Sequence, residues 1–145
     1  MLDPRPAPGA APPPTVLLVD DDLAVQDAIE MMLEADGYRV VTAADGRQAL
    51  AAYPEVRPDL VITDIIMPNE TGLAVLAGIK RMNPAAKVIV ISGGGRTTNI
   101  DFLDMAAELG ASVVLDKPCD PDKLLGTVGR LLSTPSAFVD MTDVG

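Results

Sequence analysis

The sequence predicts an α/β fold built on a five-stranded parallel sheet. Five short apolar runs alternate with five segments whose apolar residues recur at helical spacing. This alternation is typical of a parallel sheet with right-handed crossovers. Most of the runs lead directly into acidic, hydroxyl or amine side chains, and α/β proteins bind ligands at the carboxyl ends of their strands.

The five apolar runs predict the strands. The first run is apolar throughout, as expected for a strand that is covered on both faces, and the third is a short run that leads to a carboxylate, Asp64. The second run has an alternating pattern, which indicates a strand at the edge of the sheet. In chain order, the runs are 16–19, 38–42, 60–62, 87–92 and 111–115.

Helices are predicted between the strands because apolar residues recur at helical spacing and suitable capping residues stand at the ends. Asp45 and Thr71 are expected to be N-caps, whereas Gly37 and Pro54 are expected to end the first two helices. In chain order, the predicted helices are 22–36, 45–53, 71–82, 98–109 and 120–132.

The first predicted helix has an apolar face that is expected to contact the sheet. Ala24 and Met31 lie beside this face. They either border the core or stay partly exposed as a strip for protein docking. The face itself consists of Val25, Ala28, Ile29, Met32 and Leu33.

The composition limits the classes of function. The chain has 145 residues, of which 48% are hydrophobic, and this is enough for one domain with a packed core. Its formal net charge of -10 argues against nonspecific binding to nucleic acid or to an anionic membrane surface. The chain has no histidine and therefore no internal phosphohistidine. A single cysteine, Cys119, and the lack of a signal sequence or membrane-length apolar run predict a cytoplasmic protein.

One domain is predicted between two unstructured ends. Residues 1–14 are rich in proline and alanine, which predicts a disordered extension. Residues 15–133 contain all of the predicted strands and helices, and residues 134–145 are expected to form a flexible tail. Because only 12 residues follow Ser133, too few for a DNA-binding module, we expect a stand-alone domain.

Polar side chains stand at the carboxyl ends of four predicted strands. Asp20 and Asp21 follow the first strand, and Asp64 ends the third. Ser92 ends the fourth strand and Lys117 follows the fifth. Because parallel strands end at the same edge of a sheet, these five residues are expected to form one site. A simpler alternative, in which the acids only cap helices or turns, stays open at this point.

The charges of these side chains predict a metal ion and a phosphoryl group. Two carboxylates about 4 Å apart repel by roughly 4 kcal/mol at an effective dielectric of about 20, so either one is protonated or a cation lies between them. The available ligands are oxygens, which selects Mg²⁺ or Mn²⁺. Lys117 and Ser92 suit the oxygens of a phosphoryl group, and Asp64 is the best-placed nucleophile. Asp20 and Asp21 are better placed to hold the ion.

Four segments resemble the receiver domain of two-component response regulators. They are Val-Asp-Asp-Asp at 19–22, Ile-Thr-Asp-Ile-Ile-Met-Pro at 62–68, Val-Ile-Ser at 90–92 and Asp-Lys-Pro at 116–118. The motifs occur in the family's order and spacing, and the match covers about residues 15–133. The resemblance implies a flavodoxin-like, doubly wound sheet with the strand order 2-1-3-4-5 and a site at its switch point.

The resemblance also implies roles for individual residues. Asp64 would be the phosphoacceptor, Ser92 the switch hydroxyl and Lys117 the contact to the phosphoryl group. The phosphoryl donor would be a histidine kinase or a histidine phosphotransfer protein. Mg²⁺ would be bound by the carboxylates of Asp20, Asp21 and Asp64 and by the backbone carbonyl of Ile66.

The sequence departs from the family pattern at several positions. Val114 occupies the place of an aromatic switch residue, and Cys119 replaces the usual aromatic after Lys-Pro. Ile66 and Gly94 occupy positions that tune the lifetime of the phosphoryl group, and neither side chain can orient an attacking water. We therefore predict slow self-dephosphorylation, which a loss of the phosphoryl group within seconds would contradict.

The predicted function is a phosphorylation-dependent signalling switch rather than an enzyme with a separate substrate. Its output would be a protein–protein contact or a phosphorelay step, and a phosphorylation-linked homodimer is compatible with the family. One alternative is a docking module that is never phosphorylated. Another is a Mg²⁺-dependent phosphohydrolase that forms an aspartyl-phosphate, but that superfamily has an acid two residues after its nucleophile, where this chain has Ile66.

Overall fold

A computed structural model describes residues 13–65, 71–92, 105–116 and 120–133. Within these ranges, five strands and five helices alternate along the chain, as predicted. The strands are β1 Thr15–Val19, β2 Arg39–Ala43, β3 Leu60–Asp64, β4 Val88–Ser92 and β5 Val113–Asp116. The helices are α1 Leu23–Ala35, α2 Gly46–Val56, α3 Gly72–Met82, α4 with its described residues 105–108, and α5 Pro121–Leu132.

The strands form a single parallel sheet with the order β2-β1-β3-β4-β5. The predicted fold class and strand order are therefore confirmed. From β1 the chain moves to one side to form β2 and then to the other side to form β3, so the order reverses between β1 and β3. Val19 of β1 pairs with Thr63 of β3, which brings the next residues, Asp20 and Asp64, to the same edge of the sheet.

Both faces of the sheet are buried under helices, which explains why the central strands are apolar along most of their length and carry their polar residues at the ends. Side chains alternate between the faces: Leu17 packs in the cluster with α2 and α3, whereas Leu18 packs with α1 and α5. Both leucines are fully buried. The edge position of β2 agrees with its alternating sequence, and most of its side chains are only partly buried or exposed.

Among the helix ends that the structure describes, the predicted signals hold with one exception. Asp45 caps α2 by accepting a hydrogen bond from the backbone N–H of Gln48, and Gly37 follows α1 in the left-handed region at a φ of 97°. The prediction that α2 ends before Pro54 was wrong, because the helix continues to Val56. Pro54 is exposed in the last turn, where it removes one N–H donor, and the N–H of Arg57 still donates to the carbonyl of Tyr53 at 2.9 Å.

The buried face of α1 is rotated relative to the predicted one. It centres on Gln26, Ile29 and Leu33. Ala28 is exposed, so its predicted contact with the core was wrong. Gln26, whose amide is buried in the first half of the helix and donates to the carbonyl of Asp20, lies on the face that contacts the sheet. Among the described residues, the helices are too short or too polar to cross a lipid bilayer.

Candidate functional site

Three carboxylates meet at the carboxyl edge of the two central strands. Asp20 directly follows β1, Asp64 is the last residue of β3, and Asp21 comes next to Asp20 in the chain. One carboxylate oxygen from each of the three lies within 4.8 Å of the others. Asp20 is 2% exposed and Asp64 is 7% exposed, whereas Asp21 faces solvent. The cluster is therefore a mostly buried acidic site with one open side.

The first of these acids is held by hydrogen bonds on both its backbone and its side chain. The N–H of Asp20 donates to the carbonyl of Ala43 at 3.1 Å, and Oδ1 of Asp20 accepts from the N–H of Asp22 at 2.9 Å. The backbone beyond β1 thus turns sharply enough for the chain to enter α1, with Asp20 retained at the end of the sheet.

Asp22, the third consecutive acid, has a different role from its two neighbours. Its carboxylate accepts hydrogen bonds from the N–H groups of Ala24 at 3.1 Å and Val25 at 3.3 Å, and it caps α1. The alternative that the acids only cap a helix is therefore right for Asp22. Asp20 and Asp21 belong to the carboxylate cluster instead.

The backbone around Asp64 is fixed by its neighbours in β3, β4 and α3. The buried hydroxyl of Thr63 donates to the carbonyl of Asp64 at 3.0 Å, and the N–H of Ile65 donates to the carbonyl of Ile91 in β4 at 3.0 Å. The N–H of Gly72, the first residue of α3, donates to the carbonyl of Ile65 at 2.8 Å. The start of α3 therefore packs directly against the end of β3.

Gly72 is required by this close approach. A Cβ atom on Gly72 would overlap the carbonyl oxygen of Asp64 and lie 2.6 Å from the Cα of Ile65. Sequence analysis did not identify Gly72 as a site residue. The available signal was its place at the start of α3 directly after an N-cap, Thr71, where glycine is a poor helix former and indicates close packing.

Gln26 is a second residue that sequence analysis missed. Its amide Nε2 donates to the carbonyls of Asp20 and Ala43, both at 3.1 Å, and the residue is 6% exposed. The signal was present in the sequence, because residues 26, 29 and 33 have helical spacing. A polar side chain on such a buried stripe requires hydrogen-bond partners.

The remaining predicted site residues are placed only in part. Ser92 is the last residue of β4 and pairs with Asp116 at the end of β5, which puts both backbones at the same edge as Asp64. The side chain of Ser92 is outside what the structure describes, and so are Ile66 and Lys117. Their roles stay predictions. Pro118, Cys119, Gly94, residues 1–12 and residues 134–145 also lie outside the described residues.

The described carboxylates fit a hard divalent cation. All three donors are carboxylate oxygens, the ligand type that Mg²⁺ and Mn²⁺ prefer, and the exposed side at Asp21 leaves room for the waters that Mg²⁺ retains. Three negative charges this close together repel one another strongly at low dielectric, and a cation among them removes that cost. The donor set therefore supports the predicted ion.

Comparisons with known proteins identify the family to which this chain is similar. A family model described as response regulator receiver domain matches residues 16–129. The transcriptional regulatory protein PrrA of Mycobacterium tuberculosis is 36% identical over 136 residues, which cover 91% of this chain and 57% of PrrA. The sporulation initiation phosphotransferase F of Bacillus subtilis is 31% identical over 83% of this chain and 95% of its own length.

Solved structures show the same likeness. The crystal structure of a CheY-like response regulator receiver domain protein from Methanospirillum hungatei has a TM-score of 0.79 at 28% identity. The alignment covers 83% of this chain and 94% of that one. The chain spans little more than half of PrrA, so the comparison with that relative concerns one part of it. The family model, which covers most of the chain, and these relatives show that the chain belongs to the response regulator receiver domain family.

Proposed function

We propose that the chain is a phosphorylation-dependent signalling switch that accepts a phosphoryl group on the carboxylate of Asp64. The observation that supports it best is the meeting of three carboxylate oxygens, from Asp20, Asp21 and Asp64, at the edge where β1 and β3 end. Membership of a family of phosphoacceptor switches points to the same reaction. In this proposal, Asp64 is the nucleophile and the other two acids hold Mg²⁺.

We propose that the donor in the cell is a histidine kinase or a histidine phosphotransfer protein; because this chain contains no histidine, the phosphohistidine belongs to that partner. A carboxylate oxygen of Asp64 forms the bond to phosphorus while the N–P bond of the donor breaks, and the released imidazole takes up a proton. Mg²⁺, when bound, neutralises charge on the phosphoryl oxygens. We propose that Lys117 and the hydroxyl of Ser92 contact the same oxygens and that the backbone carbonyl of Ile66 completes the ion's protein ligands.

Exposed apolar residues on α1 are compatible with a protein partner. Met31 is 68% exposed, and Ala24 is also exposed on the same helix, which begins directly after the acidic site. The docking role of this strip stays a prediction, as do the cytoplasmic location and a phosphorylation-linked homodimer.

The proposal is tested by titrating the protein with beryllofluoride, a phosphoryl mimic, in the presence of Mg²⁺ and following backbone amides by NMR. We expect saturable shifts that centre on the ends of β1, β3 and β4, and no response from Asp64→Asn. Asp22→Asn is the matched control, because it removes an adjacent acid that caps α1 and lies outside the carboxylate cluster. Asparagine caps a helix as well as aspartate does, so this variant should respond like the unaltered protein.

Two outcomes would contradict the proposal. An unaltered protein that does not respond would favour a docking module that is never phosphorylated. Catalytic turnover of small phosphate esters would instead favour a phosphohydrolase.

A further inference from the structure

Gln26 is a buried polar residue that lies beside the acidic site without belonging to the carboxylate cluster. It is 6% exposed and projects from α1 towards the ends of β1 and β2. A buried amide costs free energy unless its donors are satisfied. Both N–H groups of Gln26 have acceptors, since Nε2 donates to the carbonyls of Asp20 and Ala43 at 3.1 Å each.

These two hydrogen bonds connect α1 to the backbone at the point where the pairing of β1 with β2 ends. The last register pair between β1 and β2 is Val19 with Ala43, and Asp20 is the first residue beyond it. The N–H of Asp20 donates to the carbonyl of Ala43, and the same carbonyl accepts from Gln26. Gln26 thus joins the carbonyl of Asp20, the end of β2 and the first half of α1 into one unit.

The consequence for Asp20 is a backbone that is held on both sides of its Cα. Its N–H is bound to the carbonyl of Ala43, its own carbonyl is bound to Gln26, and Oδ1 accepts from the N–H of Asp22 at 2.9 Å. The bond from Asp22 also restricts rotation of the side chain. Gln26 therefore supplies one of the hydrogen bonds that hold Asp20 at the end of β1.

We propose that Gln26 is a positioning residue for the acidic site: it fixes Asp20 and thereby sets the affinity for Mg²⁺. This inference rests on the proposed function, in which Asp20 is a ligand of the ion. Outer-shell hydrogen bonds orient metal ligands, and their removal weakens metal binding by about 10- to 100-fold. Because Gln26 contacts the backbone of Asp20 rather than its carboxylate, we expect an effect near the lower end of that range.

The test is the Mg²⁺ dissociation constant of Gln26→Met, measured by isothermal titration calorimetry beside the thermal midpoint of the ion-free protein. Methionine has a similar length and no N–H donor. We expect Mg²⁺ binding to weaken about tenfold and the thermal midpoint to fall. The chain has no tryptophan, so calorimetry or NMR is preferable to intrinsic fluorescence.

Two control variants separate positioning from general loosening. Gln48→Met removes another glutamine side chain, whose Oε1 accepts from the N–H of Ala44 next to the end of β2 but which does not contact Asp20. Thr127→Val removes a hydroxyl in α5 that is 7% exposed and donates to the carbonyl of Lys123. Both variants should lower the thermal midpoint and leave the affinity for Mg²⁺ within about twofold of the unaltered protein.

The Mg²⁺ affinities of the variants decide whether Gln26 positions Asp20 for the ion. Unchanged Mg²⁺ affinity in Gln26→Met with a lower thermal midpoint would overturn the positioning role and leave the proposed function intact. Equal weakening in Gln48→Met would also overturn it. Absence of Mg²⁺ binding by the unaltered protein would overturn both proposals. The measurement on the unaltered protein therefore distinguishes failure of the proposed function from failure of the positioning role alone.

If Gln26→Met does not fold, the unaltered protein supplies the test. The side-chain amide protons of Gln26 should shift during a Mg²⁺ titration with the same midpoint as the backbone amide of Asp20. Side-chain signals that stay unchanged while the Asp20 amide moves would overturn the inference.

Discussion

Asp20, Asp21 and Asp22 are identical and adjacent in the sequence, yet they have three different environments. Asp20 is buried at the end of β1, Asp21 is exposed within the carboxylate cluster, and Asp22 caps α1. The sequence could predict that three acids exceed what a helix cap needs. The different roles of the three acids follow from hydrogen-bond geometry. Only Asp22 is placed to accept from the first free N–H groups of α1.

Residues that support the site were harder to predict than the acids themselves. Gln26 and Gly72 do no chemistry and resemble ordinary helix residues in the sequence. Their importance comes from what lies opposite them in space, which is two carbonyl oxygens for Gln26 and the backbone of Asp64 for Gly72. Contacts of this kind join distant parts of the chain, so local patterns do not reveal them.

The substitution Gly72→Ala should damage both stability and the site. Its Cβ would collide with the carbonyl oxygen of Asp64, a backbone atom that cannot rotate away. We expect the free energy of unfolding to fall by about 1–3 kcal/mol, the usual cost of overpacking, and the beryllofluoride response to weaken. Urea denaturation and the NMR titration measure the two effects.

The matched control for this substitution is Gly78→Ala in the same helix. The added Cβ would lie 2.6 Å from Cδ2 of Leu50, the flexible end of a side chain that is able to move. We expect a smaller loss of stability and a normal beryllofluoride response. Equal behaviour of the two variants would show that the contact of Gly72 with Asp64 has no special importance.

At the scale of elements, the strands were predicted better than the helix ends. Buried parallel strands are continuous apolar runs, and such runs are easy to locate in a sequence. Helix ends are harder to predict because the gain from one more turn and the cost of a helix-breaking residue are similar in size. Pro54 was expected to end α2, but a proline in an exposed last turn costs only one hydrogen bond, and the helix continues to Val56. The buried face of α1 includes a polar residue, Gln26, which the apolar pattern did not include.

Helix α5 provides a prediction about stability. Gly126 lies in this helix, is exposed, and has no atom within 4 Å of the place where a Cβ would stand. Gly126→Ala should therefore raise the free energy of unfolding by about 0.5–1 kcal/mol, because alanine loses less backbone entropy in a helix. Urea denaturation measures this change in the free energy of unfolding. The Mg²⁺ affinity should not change, because Gly126 is not part of the acidic site.

Gly129→Ala is the companion variant. Its Cβ would meet only the hydroxyl of Tyr38, at an ordinary contact distance of 3.8 Å. We expect Gly129→Ala to raise the free energy of unfolding by a similar amount. Absence of any gain from Gly126→Ala would contradict the described packing of α5.

At the scale of the whole molecule, the strand order was the feature that periodicity alone did not supply. Apolar runs predict the number and the kind of strands, but their neighbours in the sheet depend on long-range pairing. The order 2-1-3-4-5 came from the family resemblance, and the sheet confirms it. The reversal between β1 and β3 places Asp20 beside Asp64, although 43 residues separate them in the sequence.

The acidic site is therefore a product of topology rather than of any one segment. Asp20 and Asp21 come from the end of β1 and Asp64 from the end of β3, and their carboxylates meet because those strands are adjacent and parallel. The proposed phosphoryl transfer to Asp64 depends on this meeting.

Phosphate mapping tests this central proposal most directly. The protein is incubated with acetyl phosphate and Mg²⁺, and intact-mass spectrometry is followed by borohydride trapping and peptide mapping. We predict the incorporation of one phosphoryl group, located on Asp64, that requires Mg²⁺ and is absent from Asp64→Asn. No incorporation, or a phosphoryl group located on a residue other than Asp64, would contradict it.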